Sequence, residues 1–152
     1  MKAFKILGRG VQRTLLLILL PHISSCTMTQ KWQHEKCEAY SSEYSSKRIL
    51  FQPNNNKSSL DIELVTDIHS QKMYVNLHSL PIAEDPNYPG KVSLVICIEN
   101  DKHKILADRF QGGQRLLLSE YGRDLILDSL KKNQPVAITT GRYSCTITPN
   151  GL

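Results

Sequence analysis

In the stretch KVSLVICIE, Val92, Leu94, Ile96 and Ile98 alternate with Ser93, Val95 and Cys97. Successive side chains of an extended chain point to opposite faces, so this period of two predicts a β-strand. Apolar residues on both faces predict a central strand covered on each side. The period recurs in LDIELVTDI, where Leu60, Ile62 and Leu64 oppose Asp61, Glu63 and Val65 as a dry and a wet face. It recurs again in KMYVNLHSL, with Met73, Val75 and Leu77 against Tyr74, Asn76 and His78. A chain written this way must bury its apolar faces in a sheet.

Punctuation between these runs sets the rest of the order. RILF is a short strand closed by the polar loop QPNNNKSS, and the turn from Asp67 to Gln71 lets the next two runs pair. PIAEDPNYPG, with three prolines and a glycine, is a loop. ENDKH turns the chain so that KILADRF returns as a hairpin partner, and QGG turns it again before RLLL. A helix begins after Ser119, which caps it, with Glu120 in its first turn. Lys131 and Lys132 favour its last turn, and Asn133 and Pro135 stop it. Tyr121, Leu125, Ile126 and Leu130 form its expected apolar stripe, while Gly122 weakens it. In PVAITTGRYSCTIT the inward set changes from even (Val136, Ile138, Thr140) to odd (Tyr143, Cys145, Ile147), so Gly141 marks a bulge or a hairpin turn, two strands being the favoured reading.

The expected fold is mainly β, with six to eight short antiparallel strands in a sandwich or open barrel. One α-helix in the C-terminal half caps one side. A chain of 152 residues is long enough for one good core.

The opening segment follows another rule. Residues 1–25 carry Lys2, Lys5, Arg9 and Arg13 and no acid, then six apolar residues at positions 15–20, then Pro21. The apolar run is shorter than the ~20 residues a spanning helix needs. Its order of basic start, apolar run and small residues is that of a secretory signal. The formal charge of +5 comes mainly from here: four of the 19 basic residues lie in it, leaving 15 against 14 acidic and a net of +1. That near-neutral remainder lacks the electrostatic footprint of a nucleic-acid binder.

Ile23-Ser24-Ser25-Cys26 resembles the lipobox of bacterial lipoproteins: an aliphatic residue, two small residues and a cysteine. The resemblance covers the first 26 residues. It implies cleavage between Ser25 and Cys26, a diacylglyceryl group on the Cys26 thiol and an acylated Cys26 amine. It implies membrane attachment in the bacterial envelope; with the polar tether and the absence of catalytic motifs, the expectation is a non-enzymatic domain that binds an envelope or host protein. Thr27, rather than an aspartate, follows the cysteine, which leaves outer-membrane delivery open. The whole chain also loosely resembles small lipoproteins of chlamydiae, without a motif that assigns residue roles.

The expected organisation is a signal peptide at residues 1–25, a lipidated cysteine and polar tether at 26–46, and a β-rich domain at 47–152. Trp32 in the tether docks on the domain, or on the membrane surface where indoles favour the interface. Tyr40 and Tyr44 fall at helical spacing after it. With Cys26 lipidated, Cys37, Cys97 and Cys145 remain for a disulfide of open pairing, Cys145 sharing its face with Tyr143 and Ile147. If Cys26 is instead a disulfide partner, the four cysteines suit a soluble secreted or periplasmic protein.

Chemistry is sparse. His34, His69, His78 and His103 stand at no helical metal spacing, there is no C-x-x-C pair, and neither a nucleophile elbow nor a phosphate loop occurs. No catalytic residue, metal or cofactor is therefore expected. Asp108 with Arg109, Arg123 with Asp124, Glu84 with Asp85, and Asp61 with Glu63 read as surface charge serving solubility. A hydrolase site built from loops around His78 or His103 is the enzymatic alternative.

Overall fold

The computed structural model describes residues 31–37, 46–53 and 60–152, with the side chains of Lys36 and Cys37 outside that description. The lipobox-like residues 23–26 and Tyr40 and Tyr44 lie outside the described residues. Among the described residues nine strands form one antiparallel sheet: β1 (Trp32–Cys37), β2 (Ser46–Phe51), β3 (Leu60–Thr66), β4 (Gln71–Leu77), β5 (Lys91–Ile98), β6 (Asp101–Arg109), β7 (Arg115–Leu118), β8 (Val136–Thr140) and β9 (Tyr143–Ile147). Their order across the sheet is β1-β2-β3-β4-β7-β6-β5-β8-β9. One helix lies among the described residues, α1 (Glu120–Lys131), and follows β7.

The sheet is not closed into a barrel, but it curls until β9 approaches β3. The segment after β9 then meets the start of β1, where the Trp32 amide donates to Asn150 O at 3.2 Å and the Trp32 indole Nε1–H to Thr148 O at 3.0 Å. We call this junction the seam. The inner face carries the alternating residues expected: Leu60, Ile62 and Leu64 of β3, Met73, Val75 and Leu77 of β4, Val92, Leu94 and Ile96 of β5. Val136 and Ile138 of β8 and Tyr143, Cys145 and Ile147 of β9 complete the set. Gly141 makes the parity change at the two-residue turn between Thr140 and Tyr143, at φ +55°, a conformation costly for residues with a Cβ.

β1 lies within the stretch expected to be a tether. Its sequence, WQHEKC, has one strong apolar residue, and that residue decides its fate. Trp32 is 1% exposed, opposite Phe51 in register, with the two rings 5.2 Å apart and tilted by 54°. Docking on the domain is thus the outcome for Trp32, and it carries a full strand with it.

Ser119 caps α1 through its Oγ, which accepts from Gly122 N at 3.3 Å, and Asn133 ends it in the left-handed region at φ 61°. The helix packs on β4, β5, β7 and β8 through Ile126, Leu127 and Leu130. Tyr121 departs from the expected stripe and is 61% exposed. The buried face centres on 122, 126, 129 and 130, about 125° around the helix from 121.

A Cβ at Gly122 would lie 2.5 Å from Cδ1, the far end of the Ile105 side chain, which has to shift to admit it. Helix propensity alone makes Gly122→Ala stabilising by about 1 kcal/mol. Overpacking against buried Ile105 costs about 1–3 kcal/mol. The expected result is a lowered urea midpoint, and a raised midpoint would show that Ile105 yields freely.

Candidate functional site

The outer face of β3 and β4 carries the densest group of polar side chains described. Because the side-chain period is two, Asp61 and Glu63 point away from the core that holds Leu60, Ile62 and Leu64. The wet face expected there is in fact covered: Asp61 is 8% and Glu63 5% exposed. The cause is non-local. Neighbouring strands bring Arg48 from β2, Asn76 from β4 and Arg115 from β7 over the Glu63 carboxylate.

Arg48 Nε lies 2.7 Å from Glu63 Oε1, an ionic contact outside good hydrogen-bond alignment. Arg115 Nη2 lies 3.2 Å from Oε2, and Asn76 Nδ2–H donates to the same oxygen at 2.9 Å. A buried carboxylate is tolerable when its oxygens are partnered in this way. Arg48 also donates to Glu35 on β1 at 3.2 Å. The Arg115 guanidinium sits 4.0 Å over the Tyr74 ring, and Tyr74 lies 6.1 Å from Phe110. At the lower edge of the group, Asp61 Oδ2 is 2.6 Å from His78 Nε2.

The side chains of Arg48 and Arg115 keep more than a third of their surface open. Fixed guanidinium donors beside aromatic faces suit recognition of a planar polar or anionic group. Glu63 is the positioning residue, holding both arginines on one face. Glu63→Ala is expected to lower stability by about 1–3 kcal/mol, the cost of unmade bonds among partly buried groups. Glu63→Gln, which can still accept from Asn76, should lose less. Equal midpoints for wild type and Glu63→Ala in urea would show that the carboxylate holds nothing.

A second concavity, of about 530 Å³, opens between the turn from β3 to β4 and the start of α1. It exists because pairing of β4 with β7 stops at Tyr74 and Leu117, after which the chain turns at Ser119 into the helix. His69, Lys72, Met73, Asp108 and Arg123 line it. Arg123 is committed elsewhere, bonding to Gln71 O and to Asp124 Oδ1 at 2.8 Å. The hydrogen bond to Asp124 raises the Arg123 pKa, and Arg123 in turn lowers that of Asp124.

The remaining charged pairs have other partners than their neighbours in sequence. Asp108 pairs with Lys91, while Arg109 donates from Nε to Ile82 O at 2.9 Å and lies 3.5 Å from Glu84. Glu84 and Asp85, expected to serve solubility alone, staple the loop before β5. Glu84 accepts from Gly90 N, and Asp85 accepts from Ser93 Oγ at 2.6 Å and from Asn87 N at 3.0 Å. The Ser93 hydroxyl, more than the Asn87 amide, holds the Asp85 carboxyl below its ordinary 3.8.

His78 and His103 are not brought together, standing at opposite ends of strands separated by β7. Among the described residues no hydroxyl or thiol is hydrogen-bonded to a histidine ring, and no group of three or more His, Cys, Asp or Glu side chains could hold a metal ion. Among them, too, no helix is long and apolar enough to cross a membrane.

Cys97 and Cys145 both carry free thiols. Cys145 faces the core opposite Ile138, whereas Cys97 is on the other face, one strand beyond. Strands two apart are separated by about 10 Å, past the ~7 Å limit for a disulfide. Of the expected pairings, this geometry opposes Cys97 with Cys145. The chain matches no protein-family model, no curated protein and no solved structure.

Proposed function

We propose that the protein is a membrane-anchored bacterial lipoprotein whose β-rich domain binds an envelope or host protein without catalysing a reaction. The observation that carries this reading is Ile23-Ser24-Ser25-Cys26, placed after four basic residues and an apolar run. Cleavage before Cys26 and acylation of its thiol and amine attach the chain to the bilayer. One acyl chain gives only marginal binding, and two or three on one residue make it stable. The arginine and aromatic group around Glu63 supports a binding role, because it fixes donors and ring faces at a surface.

Cys26→Ala tests the reading. The variant is expected to lose incorporation of labelled fatty acid and to move from the detergent phase to the aqueous phase. Unchanged labelling would sink the proposal. A soluble protein with a Cys26 disulfide, the competing reading, predicts no labelling in the wild type and a mass shift on reduction.

A further inference from the structure

We infer that the domain is held flat against the bilayer, with the seam between β1 and the segment after β9 turned towards the lipid headgroups. This rests on lipid attachment at Cys26 as proposed above, and adds to it which surface meets the membrane. Only residues 27–31 lie between Cys26 and Trp32, the first residue of β1. Six Cα steps reach at most about 20–22 Å when fully extended. The headgroup zone of one leaflet takes up about 5–7 Å of that. About 15 Å is left between the membrane surface and Trp32.

Trp32 cannot lengthen this leash by peeling away cheaply. It is buried against Phe51, and both its amide and its indole N–H are hydrogen-bonded across the seam. A domain of this size has a radius of gyration of about 13 Å, so 15 Å of slack cannot carry the seam to its far side. A tether running through residue 46 would instead reach about 70 Å.

The apposed surface includes exposed Lys31, which packs beside Gly151, His34, which bonds to Gly151 O at 2.7 Å, and Leu152, which is 41% exposed. A cation beside an exposed apolar side chain suits contact with phosphate headgroups and the acyl boundary. β7 is the fifth of nine strands in the sheet order and so lies farthest from the seam along the sheet. The group around Glu63 thus runs from Arg48 on β2, beside the seam strand β1, to Arg115 on β7, its end farther from the membrane.

Energy transfer from Trp32, the sole tryptophan, to dansyl-labelled phosphatidylethanolamine tests this. The full-length acylated protein is reconstituted in phosphatidylcholine vesicles containing that lipid, beside a variant with a spacer inserted between Met28 and Thr29. A spacer of about 20 Gly and Ser residues has an r.m.s. span of about 25 Å and should remove roughly half or more of the transfer. Equal transfer in the two acylated proteins, whether high or low, overturns the inference while leaving the anchor intact. Failure of the wild type to incorporate labelled fatty acid overturns the anchor itself, and the inference with it.

Discussion

Replacing Trp32 by alanine is expected to lower the unfolding free energy by about 3–5 kcal/mol, the range for truncating a fully buried large aromatic side chain. The indole is 1% exposed, packs on Phe51 and satisfies its N–H on Thr148 O. Its loss empties space at the seam and frees the carbonyl it bonds. Single domains have only about 5–15 kcal/mol to lose. Urea unfolding followed by far-ultraviolet circular dichroism measures the change without needing the tryptophan signal. Trp32→Phe should recover most of the packing and lose mainly the hydrogen bond, about 1 kcal/mol. A midpoint unchanged in Trp32→Ala would mean that β1 is not an integral strand, and would also remove the short leash argued for the membrane face.

The second large effect concerns Cys145. Burial, with a smaller contribution from the Asp61 carboxylate, pushes its thiol from the ordinary 9.0 up to about 12. Only the thiolate attacks alkylating reagents, so at about pH 8 the folded protein should label Cys145 roughly a thousandfold more slowly than the urea-unfolded chain. Cys97, half-buried on the outer face, should label first in the folded state. Peptide mapping after timed iodoacetamide treatment separates the two. The same shift sets a pH window for stability. Since the folded value lies above the unfolded one, the contribution is complete below pH 9.0 and is lost as the pH rises through about 12. Equal alkylation of Cys145 in the folded and unfolded protein would contradict its burial.

Periodicity made most of the sheet legible. The runs at Leu60, Met73 and Val92 each put their even or odd set on the core as written, and the parity change at Gly141 located a hairpin without any knowledge of its partners. Ser119 and Asn133 bounded the helix through local chemistry, capping at one end and a left-handed stop at the other. What failed to show was non-local. WQHEKC gives no strand signal by itself, because its pairing with β2 and its hold on Asn150 and Thr148 come from residues distant in sequence. Asp61 and Glu63 have the look of a solvated face until β2 and β7 supply the arginines that cover Glu63. Gly122 reads as a weak helix residue because Ile105, the neighbour that a Cβ there would press on, lies on another element. Ile23-Ser24-Ser25-Cys26, by contrast, is wholly local, and its proposed reading as a lipobox depends on chemistry outside the folded domain.

The chemical state of residue 26 decides whether the protein is a lipoprotein. The intact mass of the protein purified from bacterial membranes addresses it directly. The predicted species begins at Cys26, lacks residues 1–25 and carries the added mass of diacylglycerol with an N-acyl chain. A membrane-derived species that retains residues 1–25, or that begins elsewhere without lipid, would contradict the account.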